Sequence, residues 1–97
     1  MIYVDNVYIP ARVGKFNSRW CHLMSDQLDP AELHAFAKGI GLRRAWFQSR
    51  QRDPAGDHYD VTEGKRWQAV KAGAVEIDAE GLRALMAKRR DLVRAGR

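Results

Sequence analysis

An α+β fold, or a small α/β one, is the class this chain predicts: a short central sheet with about three helices in a single domain. Short apolar runs of strand-like composition alternate with longer stretches of helical period. The 97 residues sustain one modest core. Apolar content of 45% and charged content of 30% are those of a globular chain rather than a disordered one.

Met1–Val4 reads as a short buried strand, Asp5-Asn6 as a turn, and Val7–Ile9 as a second strand that Pro10 stops. Val13–Arg19, broken by Gly14 and Asn17-Ser18, reads as a loop before a strand over Trp20–Met24. Asp29-Pro30-Ala31-Glu32 is a helix start, with Asp as N-cap, Pro at N1 and Glu as the returning partner of a capping box. Leu33, Phe36, Ala37 and Ile40 give that helix its apolar stripe, and Gly39 and Gly41 end it. Leu42–Gln48 reads as a strand centred on Ala45-Trp46-Phe47. Residues 49–57, polar with Pro54 and Gly56, read as a mobile loop. His58–Val61 returns to the core, with Asp60 and Glu63 spaced like a cap and its partner. A helix over 62–72 then carries Trp67 and Val70 on one face. Ala74–Ile77 is a short strand. Asp78 caps a last helix with Leu82, Leu85, Met86, Arg89 and Val93 on one side and a tail that frays after Leu92.

The net charge of +5 is unevenly placed. Residues 79–97 hold six basic and two acidic side chains, leaving eleven against ten in residues 1–78. The expected organisation is thus a nearly neutral core over 1–78 and a basic C-terminal helix over 79–97, packed on that core or extending from it. A general electrostatic grip on nucleic acid is not required, although the basic tail offers a place for one. No apolar run spans a bilayer and no secretory leader opens the chain, so the expected location is cytoplasmic and no membrane partner is expected. The single cysteine, Cys21, fits a reducing compartment and reads as a small, partly buried side chain.

All three histidines stand beside carboxylates: Cys21-His22 with Asp26, Glu32-Leu33-His34, and Asp57-His58-Tyr59-Asp60 followed by Lys65-Arg66. Imidazole beside carboxylate is the material of acid/base chemistry. His58, between a polar loop and a helix start, is the first candidate for a catalytic role, and His22 the second. Asp60 is either a cap or a site carboxylate, and Tyr59 offers a hydroxyl. Lys65 and Arg66 occupy the first turns of a helix, where cations oppose the dipole, so they are candidates for holding phosphate or carboxylate. His34 flanks the buried stripe and is as much a satisfied histidine as a site member. Trp46 and Trp67 are expected in the core, with Trp46, beside Gln48 and the polar loop, the better candidate for a pocket wall. Cys21, His22, His34, His58 and Asp60 suit zinc or another divalent metal chemically. They lack the spacing of a zinc motif, so no metal or cofactor is predicted and a metal site is the minor alternative.

Tyr3-Val4-Asp5, Cys21-His22 with Asp26, Glu32-Leu33-His34, Gly41 through Trp46 with Gln48, His58-Tyr59-Asp60, Lys65-Arg66, Ala69-Val70 and Gly73–Ile77 occur in this order. That succession, over roughly residues 2 to 78, resembles the domain of unknown function 4031 family of bacterial and phage proteins. The resemblance implies a small cytosolic protein and carries no activity with it.

The leading expectation is a domain that binds a phosphorylated or nucleotide-like ligand in a pocket of His22, His34, His58, Tyr59, Asp60, Lys65 and Arg66, with Trp46 and Gln48 as its wall. Two alternatives stand beside it. One is a histidine-dependent phosphoester or glycosidic-bond hydrolase. The other is a nucleic-acid or protein adaptor acting through the basic C-terminal helix.

Overall fold

The computed structural model describes residues 1–49 and 53–96. Among the described residues the strands and α-helices follow in the order β1 (Ile2–Val4), β2 (Ile9–Val13), β3 (Phe16–Ser25), α1 (Ala31–Gly39), β4 (Phe47–Gln48), β5 (His58–Val61), α2 (Glu63–Lys71), β6 (Val75–Glu76) and α3 (Ala79–Ala95). The strands form one mixed sheet in the order β4-β5-β3-β1-β6, with β2 pairing β3 alone. Among the described residues, β1 and β6 are the one parallel pair. The fold is therefore α+β, as its alternating periods predict.

Strand alternation decides where the core lies. Val4 is paired with Leu23, Leu23 with Tyr59, and Cys21 with Val61, so these residues share one face of the sheet. All are buried there with Leu33 and Ala37 of α1 and Ala69 of α2. Both helices cover that single face.

Several elements differ from the sequence reading, each for a local reason. Pro10 does not stop the second strand. β2 runs from Ile9 through Pro10 to Val13 and pairs with β3 from Phe16 onward, so the expected loop over 13–19 is a hairpin. β2 has a single neighbour, and an edge strand tolerates proline because alternate N–H groups face away from the ladder. Gly14 supplies the φ of 59° that its tight turn needs.

Leu42–Gln48 is not a continuous strand. The Leu42 amide donates to the Ala37 carbonyl at 2.9 Å, closing α1 behind Gly41 at φ 82°. A 3₁₀ turn over Arg44–Trp46 follows, and only Phe47 and Gln48 reach the sheet. Residues 50–52 of the expected mobile loop lie outside the described residues; Pro54–Gly56 is a second 3₁₀ turn.

The helix starts are also reassigned. Pro30, not Asp29, is the N-cap of α1; Asp29 Oδ1 accepts from the Ala31 amide at 3.0 Å, and Glu32 pairs with the Met1 amino group at 2.9 Å instead of closing a capping box. Thr62, not Asp60, caps α2, its hydroxyl accepting from the Lys65 amide at 3.3 Å. Glu63 reaches Arg19 at 2.6 Å. Trp67 is 62% exposed rather than in the core, because α2 presents the smaller Ala69 to the sheet.

Asp78 does cap α3, accepting from Gly81 at 2.8 Å. The helix continues past Leu92 to Ala95. Its buried side holds Leu85 and Arg89, and Arg89 is only 2% exposed. The Arg89 guanidinium donates to the carbonyls of Ala55, Ser25, Gln27 and Pro54 at 2.7–2.8 Å. One side chain thus ties α3 both to the end of β3 and to the turn that precedes β5. No helix among the described residues is long and apolar enough to cross a membrane.

Candidate functional site

The register that buries Cys21, Leu23, Tyr59 and Val61 sends their neighbours to the opposite face. His22 lies across from Asp60, and His58 across from Gln48. Two histidines, one carboxylate and one amide are therefore gathered by period-two alternation on three adjacent strands. His58 Nε2 lies 3.1 Å from Asp60 Oδ1, and His22 Nε2 lies 3.9 Å from the same oxygen. The imidazoles meet edge to face with centroids 4.9 Å apart. Gln48 donates its amide to the other oxygen, Asp60 Oδ2.

Each histidine is held from behind. His22 Nδ1 lies 2.7 Å from Oδ2 of Asp5, a residue only 1% exposed. Asp5 Oδ1 also accepts from the His22 backbone amide at 3.0 Å. His58 Nδ1 donates to the Gly56 carbonyl at 2.6 Å. With Nδ1 occupied by an acceptor in both rings, the tautomer that leaves Nε2 toward Asp60 is selected. Burial pushes the Asp60 carboxyl upward, but the hydrogen bond and charge of His58, with help from Gln48 and His22, outweigh it and hold the group below the usual aspartate value.

Beside this cluster runs a groove of about 390 Å³, with Phe16, Trp20, Trp46, Gln48, Asp60 and Lys65 among its walls. Gln48 and Asp60 belong to both. Trp46 is 42% exposed here, so the expectation of a core tryptophan fails. Its ring instead lies 5.8 Å from the Arg43 guanidinium.

The remaining predicted residues separate from the cluster. His34 and Tyr59 sit on the helix-covered face, joined by a 2.7 Å bond between His34 Nδ1 and the Tyr59 hydroxyl. Phe47 packs edge to face on His34 at 4.5 Å. His34 Nε2 is buried with no partner among the described residues. Burial, aided by the nearby Arg44 charge, lowers the His34 pKa, and burial raises that of the Tyr59 hydroxyl. Cys21 is fully buried, which pushes its thiol up and away from reactivity. Asp26 is not the partner of His22; it pairs with the Met1 amino group at 2.8 Å and Lys88 at 3.7 Å.

Lys65 and Arg66 are engaged with the protein itself. Lys65 Nζ donates to the Ile40 carbonyl at 2.7 Å while lining the groove. Arg66 Nε donates to the Asp5 carbonyl at 2.7 Å, and its Nη1 pairs with Glu76 at 3.0 Å. Arg66 thus steadies the residue that holds His22.

Sequence reasoning missed Asp5, Trp20 and Phe16. Asp5 had a readable signal: an acidic residue directly after a buried strand must either turn outward or find a buried partner. Trp20 had another, since it is two residues from His22 and so shares its face.

A small α+β domain with a histidine–carboxylate cluster at the edge of an aromatic groove is what fold and site define. The chain belongs to a family of proteins of unknown function, DUF4031, whose family model matches residues 2–89. The likeness seen over roughly residues 2 to 78 is confirmed and extends through Arg89, the side chain that ties α3 to the body. No curated protein and no solved structure matches the chain.

Proposed function

We propose that this protein binds a nucleotide-like ligand, its planar ring in the aromatic groove and its polar end against the histidine–carboxylate cluster. One observation carries the reading: Gln48 and Asp60 are at once walls of the groove and members of the cluster. A single molecule seated there meets both chemistries. The groove volume falls within the range of small-molecule pockets, roughly 300–1,000 Å³. Trp46 and Trp20 offer stacking surfaces, and stacking a base on an aromatic side chain contributes about 1–3 kcal/mol. The Asp60 carboxylate accepts from ribose hydroxyls or a base amino group. Lys65, and an imidazole when protonated at Nε2, face the anionic end. Arg66 plays no direct part in this arrangement, being committed to Asp5 and Glu76.

The experiment is a titration of tryptophan fluorescence with nucleoside monophosphates and, separately, inorganic phosphate. Saturable quenching by a nucleotide is expected, weakened about 5- to 150-fold in Trp46→Ala. A folded protein that binds none of them at millimolar concentration, or a Trp46→Ala variant with unchanged affinity, removes the reading.

A hydrolytic reading has its own support in the Asp5–His22 pair. A buried carboxylate on Nδ1 orients the ring and stabilises the imidazolium formed when Nε2 accepts a proton. On this reading the pocket hydrolyses a phosphoester or glycosidic bond, with His22 as base and His58 as its acidic counterpart. Turnover should disappear in His22→Ala and His58→Ala while thermal stability changes little.

A further inference from the structure

We infer that His22, His58 and Asp60 form a binding site for one divalent first-row transition-metal ion, zinc being the natural probe. This goes beyond nucleotide binding and stands or falls independently of it. The acceptors behind the two rings set their tautomers. Asp5 Oδ2 and the Gly56 carbonyl are both acceptors, so the Nδ1 atoms they face, at 2.7 and 2.6 Å, carry the protons. A neutral imidazole has only one N–H. With both rings neutral, the state a metal ion requires, the two Nε2 atoms present lone pairs toward Asp60 Oδ1, at 3.9 and 3.1 Å. Three electron-pair donors facing one another repel unless positive charge lies among them.

A proton on His58 serves part of this need, since 3.1 Å is within hydrogen-bond range. It does not serve His22, whose Nε2 at 3.9 Å is too far from Asp60 for a hydrogen bond. A metal ion reaches all three. A ligand atom from each residue lies within 4.8 Å of the others. Metal bonds of about 2.0–2.1 Å in tetrahedral geometry place ligand atoms about 3.3 Å apart, so closure asks for side-chain shifts of up to about 1.5 Å.

The surroundings match what a metal site requires. Both imidazoles have an oxygen acceptor on the remote nitrogen, which fixes the tautomer and raises ligand basicity. Gln48 holds the second oxygen of Asp60. Two imidazoles with one carboxylate favour zinc, cobalt or iron over magnesium or calcium. Three protein ligands leave a coordination position open, and the shared residues Asp60 and Gln48 place it beside the groove. Cys21 and His34, chemically suitable in the sequence, lie on the other face of the sheet and take no part.

The test is calorimetric titration of chelator-stripped full chain with zinc and cobalt(II), with the cobalt visible spectrum as a direct report of imidazole ligation. One ion per chain is expected, with no comparable binding of magnesium. Asp60→Asn, which preserves shape, and His22→Ala should lose binding by more than about a hundredfold. Asp5→Asn should weaken it about 10- to 100-fold by acting through His22. His34→Gln should change nothing. Far-UV dichroism of each variant establishes that it is folded. Absence of zinc and cobalt binding by the folded wild type, or affinity unchanged in Asp60→Asn, overturns the inference. Nucleotide binding by the stripped protein in either case leaves the pocket reading intact, whereas metal binding without nucleotide binding removes that reading and keeps this one.

Discussion

Replacing Arg89 by methionine should cost about 3–5 kcal/mol of stability, since each buried carbonyl left without a donor costs about 1–3 kcal/mol. Methionine keeps much of the aliphatic stem and deletes the guanidinium, leaving the carbonyls of Ser25, Gln27, Pro54 and Ala55 without their donor. Hydrogen bonds from a charged donor contribute roughly 1.5–3 kcal/mol each, so a simple sum over these partners exceeds the expected loss. Two terms reduce it. Burial already disfavours the cation, lowering its pKa, and that penalty disappears with the charge. The Gln27 and Pro54 carbonyls are also only part-buried, so water reaches them once the side chain is gone. Against a total stability of about 5–15 kcal/mol for a chain of this length, the loss is severe. Urea unfolding reads it directly: with a slope of roughly 1.5 kcal/mol per molar, the midpoint should fall by about 2–3 M. Arg89→Lys should recover at most half, since an ammonium cannot span both pairs of carbonyls as the planar fork does. A loss below about 1 kcal/mol would refute the view that Arg89 is the tie between α3 and the body. The same variant bears on the site, because Pro54 and Ala55 immediately precede the Gly56 carbonyl that holds His58.

Two further outcomes follow from local geometry. His34 has a folded pKa below its ordinary value of 6.5, so the folded state resists a proton that the unfolded chain accepts. Its contribution to stability is complete above 6.5 and is lost as the pH falls through the lower folded value. Urea midpoints at pH 7 and pH 5 should therefore differ more in wild type than in His34→Gln, and equal differences would contradict the burial argument. At Gly41, φ is 82° and an added Cβ would lie 2.9 Å from Lys65 Nζ. Gly41→Ala should cost about 1–2 kcal/mol through backbone strain, with Lys65 displaced from the Ile40 carbonyl, and a neutral thermal shift would contradict it.

Much of the fold was legible because alternating periods and turn chemistry act locally. Asp78, Gly41 and the stripe of α3 declared themselves through side chains that serve their own helix. Pro10 misled because its tolerance depends on β2 having one neighbour, which is a property of the sheet. The 42–48 segment misleads because its apolar, β-prone composition hides the demand of α1 for a closing amide at Leu42. Trp67 misleads because a large apolar ring favours the core in isolation, whereas α2 turns the smaller Ala69 to the sheet. At the site, the His58–Asp60 pair was readable from two-residue spacing on one strand. Its union with His22 was not, since that rests on the β3–β5 register. His34, equally plausible in sequence, lies on the other face because it belongs to a helix packed against Tyr59.

The central claim is that His22 and His58, but not His34, form one ligand site with Asp60. Imidazole nitrogen resonances followed by NMR through a nucleoside monophosphate titration test it most directly. Saturable shifts at His22 and His58, with His34 unmoved, are the predicted result. Resonances that all stay in place, or a response confined to His34, would contradict it.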